Sequence, residues 1–480
     1  MKIRQTREWV TDKALVGEYS PDLGDKRRNH RVQRVGAAVA TKPSLSLPRI
    51  FPDEADLEAT YRLLRNPTVA WRKLMAAHVE RTLDRAENED EVLVAHDTSE
   101  LAFRKYWSDE GRGQMAAFTS RTQGFFLHTS VAISANGQAL PLGVLHVQPF
   151  VHHSGLNEDE ARAFWESEAG LFDNEHARWF GSVGVVAEAL AKRDIAPIHV
   201  MDCETDSYGL LSWLVQNGHR FVIRCDGGRR LKSAHGMREV GNLNVDLGER
   251  FDLRDGKATY NPPRRARTVE LTVRAGVVTL SRARKAKDAS WSPGGFAEQP
   301  KTLDLHLVEA IELNPPAGEK GVRWLLLTTE PIDSAEEVMR VIDWYRRRWM
   351  IEEFFKALKS GCRLEERQMD SADTMLRMLA LLVPAAWRLL LLRAIAQEAQ
   401  DSPWEKLLTP LEFQILMRVL PKAKLTPKSN ISQCLAAVAK LGGHLPRNGP
   451  PGWQTLHAGW RHLQELALGA RLAAGEVINP

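Results

Sequence analysis

The spacing of apolar residues along the chain switches between a helical period and a strand period, and these switches predict the elements. Residues 1 to about 70 have the helical period. Asp25 is a predicted N-cap, and a later helix in this region ends before Pro67, because the residue before a proline disfavours helical backbone. From about 70 to 220, amphipathic helices alternate with apolar strand-like runs, two of which are joined by a turn at Asn136-Gly137. This order predicts an α/β fold with a sheet of mixed strand direction.

The second half of the chain contains a strand-rich stretch followed by helices. Residues 220 to about 330 have the pattern of antiparallel strands broken by glycine and proline, which we interpret as an insertion into the preceding α/β region. Beyond about 370 the helical period returns. One apolar stripe at helical spacing consists of Trp453, Leu456, Trp460 and Leu463. Such a stripe either packs inside its own domain or forms a dimer seam.

Composition places the protein among soluble globular proteins with an intracellular setting. Of the 480 residues, 43% are hydrophobic and 26% are charged, and the net charge of +4 is modest for this length. Any nucleic-acid partner is therefore indicated by local clusters of basic residues. The four cysteines have no CxxC or zinc-ligand spacing, the first residues have no signal-peptide core, and the longest apolar run is too short to span a bilayer. These features predict a cytoplasmic protein without a membrane partner.

Three acidic residues occur where a phosphoryl-transfer site needs them. Asp97 ends the apolar run VLVAHD, Asp202 ends IHVMD, and Glu352 lies on a predicted helix reading DWYRRRWMIEEFFKALKSG. Two carboxylates at strand ends and one from a helix can share a pair of Mg²⁺ ions, which prefer hard oxygen ligands. Each aspartate taken alone is more typical of an ordinary turn or cap residue.

The predicted helix around Glu352 combines one carboxylate with basic and aromatic side chains. A capping box predicts its start at Ser334, and Gly361 is its predicted end. At 100° per residue, one arc of about 80° contains Tyr345, Arg348, Glu352, Lys356 and Lys359. These cations suit a polyanion such as DNA. The alternative is a solvated face in which Glu352 and Lys356 form an ion pair.

An N-terminal helix presents a second basic surface. Arg27, Arg31 and Arg34 recur at helical spacing on one face. This face either contacts DNA phosphates or is simply solvated.

The spacing of Tyr345, Arg348, Glu352 and Lys359 is that of the Y-R-E-K signature of bacterial insertion-sequence transposases of the IS-four type. The chain resembles this family nearly from end to end and is most similar to its Tn-five (IS-fifty) members. Other matching motifs are LGDKRR, YRLLRNP, DTS after the first aspartate, D-x-E-x-D at the second, RFVIR, RWLLLTTEP, RWMIEEF and a late LGG.

The resemblance implies a DDE transposase with an RNase H-like catalytic core. Residues 1–70 would be a helical DNA-binding domain, residues 71–370 the catalytic domain with an insertion at about 220–330, and residues 371–480 a helical dimerisation domain. Asp97, Asp202 and Glu352 would bind two Mg²⁺ ions, for which Mn²⁺ substitutes.

The implied reaction is cut-and-paste transposition by a homodimer on double-stranded transposon ends. Water nicks the end, the new 3′-OH forms a hairpin on the opposite strand, the hairpin reopens, and the 3′-OH joins target DNA. The protein would be associated with the bacterial nucleoid. Its predicted DNA-contacting residues are Tyr345, Arg348, Lys356, Lys359, Trp324, Arg224, Arg27 and Arg28.

Trp324 has a particular implied role, since it matches the tryptophan that receives a base flipped out of the hairpin. Its alternative is a half-buried tryptophan of the strand-rich region. The chain departs from the Tn-five type that it resembles at Cys203, where that type carries arginine, and at Cys225-Asp226, which replaces a more basic stretch. These changes affect DNA contacts beside the triad.

Two other function classes remain open from the sequence. A stand-alone metal-dependent nuclease has no evident need for a base-accepting tryptophan or for the long C-terminal helical region. A non-catalytic DNA-binding regulator is indicated when a triad carboxylate or the N-terminal region is missing. Both are present here, which favours the transposase.

Overall fold

The structure is a computed structural model. It describes residues 9, 12–103, 117–119, 122–137, 139–150, 175–225, 234–247, 267–282, 299–317, 319, 321–398, 402–445, 447, 451 and 453–475.

The N-terminal region is helical, as its periodicity predicts. Its described helices are α1 (Asp12–Glu18), α2 (Lys26–Thr41), α3 (Leu47–Ile50), α4 (Glu54–Arg65) and α5 (Trp71–Ala86). The predicted N-cap is confirmed, because the Asp25 side chain accepts hydrogen bonds from the first amides of α2. The predicted helix end before Pro67 is confirmed too, with Asn66 as the C-cap of α4.

The chain forms two compact units. The first comprises Met1–Val92, Asp97–Leu171 and Met350–Pro480, and the second comprises Leu93–His96 and Phe172–Trp349. The predicted division at about residues 70 and 370 stays a prediction. None of the four cysteines forms a disulfide bond.

The second unit is built on a mixed sheet. Residues 93–95 of β1 (Val92–Phe103) pair in parallel with β5 (Ile198–Met201), which pairs in parallel with β6 (Arg220–Arg224). The sheet continues antiparallel through β10 (Arg323–Thr328), β9 (Thr302–Ile311), β8 (Arg267–Ser281) and β7 (Ala234–Leu247). Its helices are α6 (Glu175–Ala191), α7 (Tyr208–Gln216) and α8 (Ala335–Arg347).

This sheet confirms the predicted α/β fold with mixed strand direction. The strand-rich stretch is not independent of the sheet, because its first strand, β6, pairs in parallel with the strand that precedes Asp202. The remaining strands of that stretch are antiparallel, as predicted.

The first unit combines a small antiparallel sheet with helices from both ends of the chain. Its strands are β2 (Ala117–Thr119), β3 (Thr122–Ser134), β4 (Pro141–Phe150) and the remainder of β1, in the order β2-β3-β1 with β4 also on β3. The predicted turn joins β3 and β4, and Gly137 has a φ of +63°, which favours glycine. The later helices are α9 (Trp349–Lys356), α10 (Ala372–Glu398), α11 (Pro410–Val419), α12 (Ile431–Leu441) and α13 (Trp453–Ala473).

Helix α10 is the central helix of the first unit. Residues Ala372–Ile395 are long and apolar enough to cross a membrane by length and composition alone, although the apolar run between its arginines is short. Its most apolar window is 94% buried within the protein, as in the core helix of a globular domain. Tyr19 Oη donates to the Leu381 carbonyl at 2.9 Å, and Trp387 Nε1 donates to the Pro141 carbonyl at 2.9 Å. Sequence-distant segments therefore pack around α10.

The C-terminal stripe packs inside the protein. Leu456, Trp460 and Leu463 are at most 4% exposed and belong to one apolar cluster with α11 and α12. The side chain of Trp453 lies outside the described residues. Glycine allows α12 and α13 to approach backbone to backbone, since a Cβ on Gly459 would lie 1.7 Å from the Val438 carbonyl oxygen. The core interpretation of this stripe is confirmed for its three described side chains.

A buried charged network joins α1, α5 and β4. Glu18 accepts from Arg85 Nη1 at 2.7 Å and lies 2.5 Å from His78 Nδ1. The backbone N–H of Val144 donates to His78 Nε2, so the ring is neutral and its Nδ1–H donates to Glu18. The Arg85 guanidinium also lies 4.1 Å from the centre of the Trp387 ring. This network ties the N-terminal helix to the rest of the first unit.

Candidate active site

Asp202 follows directly after β5, at the carboxyl end of the parallel strands. Its Oδ1 accepts a hydrogen bond from the Cys203 backbone N–H at 2.6 Å, and the residue caps a short 3-10 turn. The side chain is 28% exposed. The predicted position at a strand end is confirmed.

Two arginines of the second unit face the Asp202 carboxylate. Arg348 Nη2 lies 3.4 Å from Oδ2, and Arg224 Nη1 lies 3.9 Å from Oδ1. Arg348 is a buried residue that caps the C-terminus of α8, and Arg224 is the last residue of β6. Two predicted DNA contacts and one predicted catalytic acid thus lie together, as the resemblance implies.

Tyr345 completes this group. Its hydroxyl interacts electrostatically with Arg224, and the residue is 6% exposed. Burial raises the pKa of Tyr345 above its usual value, and the charge of Asp202 raises it further, so the hydroxyl stays protonated at neutral pH. Burial alone would lower the pKa of Arg224, but Tyr345 and Asp202 raise it overall. The group therefore keeps a neutral hydroxyl and a guanidinium cation beside the carboxylate.

Trp324 lies at the start of β10, next to Tyr345. The two ring centroids are 6.0 Å apart and the planes meet edge to face. The indole is half-buried, opposite Ala310 of β9, so part of its surface is exposed. An aromatic ring held by a neighbour and partly exposed can accept a stacked base.

Asp97 belongs to the first unit and lies inside β1. The prediction that it ends its strand is wrong, because β1 continues to Phe103. Its parallel pairing with β5 nevertheless ends at Ala95, so Asp97 lies just beyond the paired segment. Its Oδ1 accepts from the Thr98 backbone N–H at 2.8 Å, the same local arrangement that Asp202 has.

Glu352 lies in the first turn of α9, partly buried, while Ile351 and Phe354 face the core. Its neighbour Glu353 lies 2.8 Å from Lys356 Nζ and 2.5 Å from Arg393 Nη1. Lys356 therefore has an ion-pair partner on its own helix.

The predicted single helix from Ser334 to Gly361 is wrong, although its start is confirmed by the capping box at Ser334. The helix divides at Arg348, whose N–H bonds the Tyr345 carbonyl at 3.1 Å, and α9 follows. Residues Ala357–Gly361, including Lys359, then form a π-helical turn. An arc calculated at a constant 100° per residue does not hold across these changes of winding.

The described residues contain no group of three or more His, Cys, Asp or Glu side chains arranged to hold a metal ion. Asp97 and Glu352 belong to one unit and Asp202 to the other, so their joint metal site stays a prediction. The donor chemistry fits a divalent cation such as Mg²⁺, because all three side chains supply hard carboxylate oxygens. In both aspartates the adjacent amide fixes one carboxylate oxygen.

The arginines of α2 differ in their contacts. Arg27 is exposed, and the described residues offer its side chain no ion-pair partner. Arg28 donates to Thr68 Oγ1 at 3.0 Å. Arg31 and Arg34 both pair with Asp56 of α4. The predicted basic face is therefore partly neutralised at Arg31 and Arg34, whereas Arg27 forms no salt bridge with any described residue.

Lys26 and His30, which are exposed beside Arg27 on α2, are not among the predicted DNA contacts, although their spacing of four residues places them on one face of the helix. The pairing of Asp56 with two arginines was not predictable, because it depends on how α4 packs against α2.

Two segments of the chain match known domain families. Residues 9–69, which include α1 to α4, match the family described as transposase DNA-binding. Residues 185–387, which include Asp202, Trp324 and Glu352 but not Asp97, match the family described as the transposase DDE domain.

Proposed function

Because the chain contains a transposase DNA-binding domain and a transposase DDE domain, we propose that it is a cut-and-paste DNA transposase of the IS-four type. The presence of both domains in one chain carries this proposal, since one recognises DNA and the other cuts it. The arginine and tyrosine side chains around Asp202 support it.

We propose that Asp97, Asp202 and Glu352 hold the divalent cations that this domain family uses, with two Mg²⁺ ions per site and Mn²⁺ as a substitute. Bound there, the cations would activate the attacking oxygen and stabilise the leaving oxygen during displacement at phosphorus. The chain supplies carboxylates from three separate elements. Nicking, hairpin formation, reopening and strand transfer are displacements of one kind, so one site serves all four.

The basic side chains near Asp202 would hold DNA phosphates. Arg348 and Arg224 pair with Asp202 at 3.4 and 3.9 Å, longer than a direct hydrogen bond. A phosphate offers a guanidinium a bidentate contact instead. Tyr345 would donate its neutral hydroxyl to the same backbone. Lys356 and Lys359, which belong to the first unit, are further proposed phosphate contacts.

The function is tested by incubating the full chain with DNA that flanks its gene, with and without Mg²⁺. We expect Mg²⁺-dependent nicks followed by hairpin-capped ends on denaturing gels. Nicks without hairpins would favour the stand-alone nuclease. Binding without any cleavage would favour the regulator.

Binding should be strongly salt-dependent, and Arg27 should contribute to that dependence. Removal of one phosphate-binding cation reduces the slope of log K against log salt by about 0.9. We expect Arg27→Ala to reduce the slope by that amount, as measured by fluorescence anisotropy. Arg34→Ala is the matched control, because Arg34 is already paired with Asp56. If the wild type and Arg27→Ala have equal slopes of log K against log salt, Arg27 does not contact DNA phosphates.

Trp324 should matter more for the hairpin than for the first nick. Stacking of a base on the indole offsets part of the cost of unstacking, so we expect Trp324→Ala to slow hairpin formation about 10- to 100-fold. Trp324→Phe, which keeps an aromatic face, should retain most activity. Quenched-flow separation of the two steps measures this. Equal losses in both steps would argue against base acceptance.

We also propose a homodimer on paired ends, in the bacterial cytoplasm and associated with the nucleoid. Leu468 and Leu472, one turn apart on α13, are 43% and 55% exposed and support a partner surface there. Light scattering with and without DNA tests the dimer.

A further inference from the structure

Residues 362–370, here called the linking segment, follow the π-helical turn after α9 and precede α10. This segment contacts three parts of the first unit that the proposed function must coordinate. They are the DNA-binding domain, the strand that carries Asp97 and the end of the element that carries Glu352.

Arg367 makes the connection to the DNA-binding domain. Its guanidinium donates to the carbonyls of Pro43 and Leu45, in the turn after α2, and to the Cys362 carbonyl at 3.0 Å. One side chain thus joins the helix that carries Arg27 to the residue that ends the π-helical turn.

The environment of Arg367 is unusual for a cation. The residue is 6% exposed, and the described residues place no carboxylate within ion-pair distance of it. Its Nε also has no hydrogen-bond partner among them. Burying a cation that is solvated only by carbonyl groups costs free energy. An aliphatic side chain at the same position would avoid that cost. The guanidinium geometry, which reaches several carbonyls at once, explains why an arginine is present.

The same segment contacts the strand of Asp97. Glu365 Oε1 accepts a hydrogen bond from the backbone N–H of Ala102 in β1 at 2.9 Å. Asp97 lies five residues earlier on that strand.

The end of the Glu352 element is itself tightly packed. A Cβ on Gly361 would lie 2.7 Å from Leu389 Cδ1, so this turn packs closely against α10. The Cys362 thiol faces the Leu382 carbonyl. A displacement of the linking segment would therefore be transmitted to α9.

We propose that Arg367 is a positioning residue, which through the linking segment aligns Asp97 and Glu352 with DNA held by the N-terminal domain. This inference rests on the proposed function. Arg367 does not contact the reacting atoms, and its effect is exerted on their placement. A misplacement of about 1 Å at a reacting centre costs up to about 10²-fold in rate.

The test compares Arg367→Met with Arg363→Met in the full chain, using duplex DNA from the gene's flanks. Arg363 belongs to the same segment but is 48% exposed and pairs with Glu366, three residues later. We expect Arg367→Met to change DNA affinity by less than about threefold, because no phosphate contact is removed. Single-turnover nicking at saturating DNA should fall about 10- to 100-fold. Arg363→Met should match wild type in both.

A conservative variant of Arg367 and a pair of variants at Glu365 distinguish a positioning role from a general effect on folding. Arg367→Lys keeps the charge but reaches fewer carbonyls, so its nicking rate should be intermediate. Glu365→Gln retains an acceptor oxygen for Ala102 and should nick normally, whereas Glu365→Leu should nick slowly with unchanged affinity. This pair tests the proposal even if Arg367→Met does not fold.

If the Arg367 variants and Glu365→Leu nick DNA at the wild-type rate, this inference is wrong, but the proposed function is unaffected. Parallel losses of affinity and nicking would also overturn it, because they indicate a general structural role. A wild-type chain that binds but does not nick would overturn the proposed function with it.

Discussion

Replacing Asp97, Asp202 or Glu352 by the corresponding amide is expected to abolish strand cleavage while DNA binding persists. An amide keeps the shape of each side chain and, in the two aspartates, the bond from the adjacent backbone N–H, but it removes the negative charge that a divalent cation requires. The rate should fall by about 10³-fold or more, the scale of losing a main electrostatic stabiliser of the transition state. Gel assays of nicking at saturating DNA, with affinity measured in parallel, check this.

Glu353→Gln is the matched control for Glu352→Gln. The two residues are neighbours on α9, but Glu353 pairs with Lys356 and Arg393. The control should nick within about threefold of wild type, since a partly exposed ion pair contributes little. Near-normal nicking by any one of the three amide variants would exclude that residue from the catalytic triad.

Glu18→Gln is expected to be strongly destabilising, although Glu18 is remote from the proposed chemistry in sequence. The side chain is 1% exposed and pairs with Arg85, which is also buried. Removing the carboxylate leaves a buried guanidinium without its counter-charge, at a cost of about 3–5 kcal/mol. Urea unfolding followed by tryptophan fluorescence should show a lower midpoint. Glu58→Gln is the matched control, because Glu58 is an exposed residue of α4. It should change the free energy of unfolding by less than about 0.5 kcal/mol.

The same network makes the protein acid-sensitive. Burial would raise the pKa of Glu18, but Arg85 and His78 lower it from 4.5 to about 2. Burial lowers the pKa of His78 from 6.5 despite the nearby carboxylate. Both shifts favour the unprotonated form in the folded state, so their stabilisation is present above the ordinary pKa values. The contribution of His78 to the free energy of unfolding should be lost as the pH falls below 6.5. The contribution of Glu18 should be lost between pH 4.5 and about 2. In Glu18→Gln the loss between pH 4.5 and 2 should be smaller.

Local sequence signals predicted the elements that depend on local chemistry. The N-cap at Asp25, the helix end before Pro67, the capping box at Ser334 and the position of Asp202 after β5 all involve residues a few positions apart. In the caps, a side chain forms hydrogen bonds with backbone groups that are close to it in sequence. The spacing of residues is therefore sufficient to predict these features.

Features that depend on sequence-distant contacts were not predictable. β1 extends past Asp97 along neighbouring strands of the sheet, and the π-helical turn that ends at Gly361 lies close to Leu389 of α10. The pairing of buried His96 with His199 at 2.9 Å requires the register of β1 against β5. Likewise, no pattern near Arg367 indicates that its partners are two carbonyls more than 300 residues earlier.

The interleaved first unit has a consequence for how the protein is made. Hydrogen bonds such as Tyr19–Leu381 cannot form until α10 has left the ribosome, so the early helices emerge long before their packing partner. Closing contacts over such separations is slow and leaves apolar surface exposed to aggregation meanwhile. Slow synthesis at low temperature should therefore raise the soluble yield, and removing the last helices to shorten the chain should lower it.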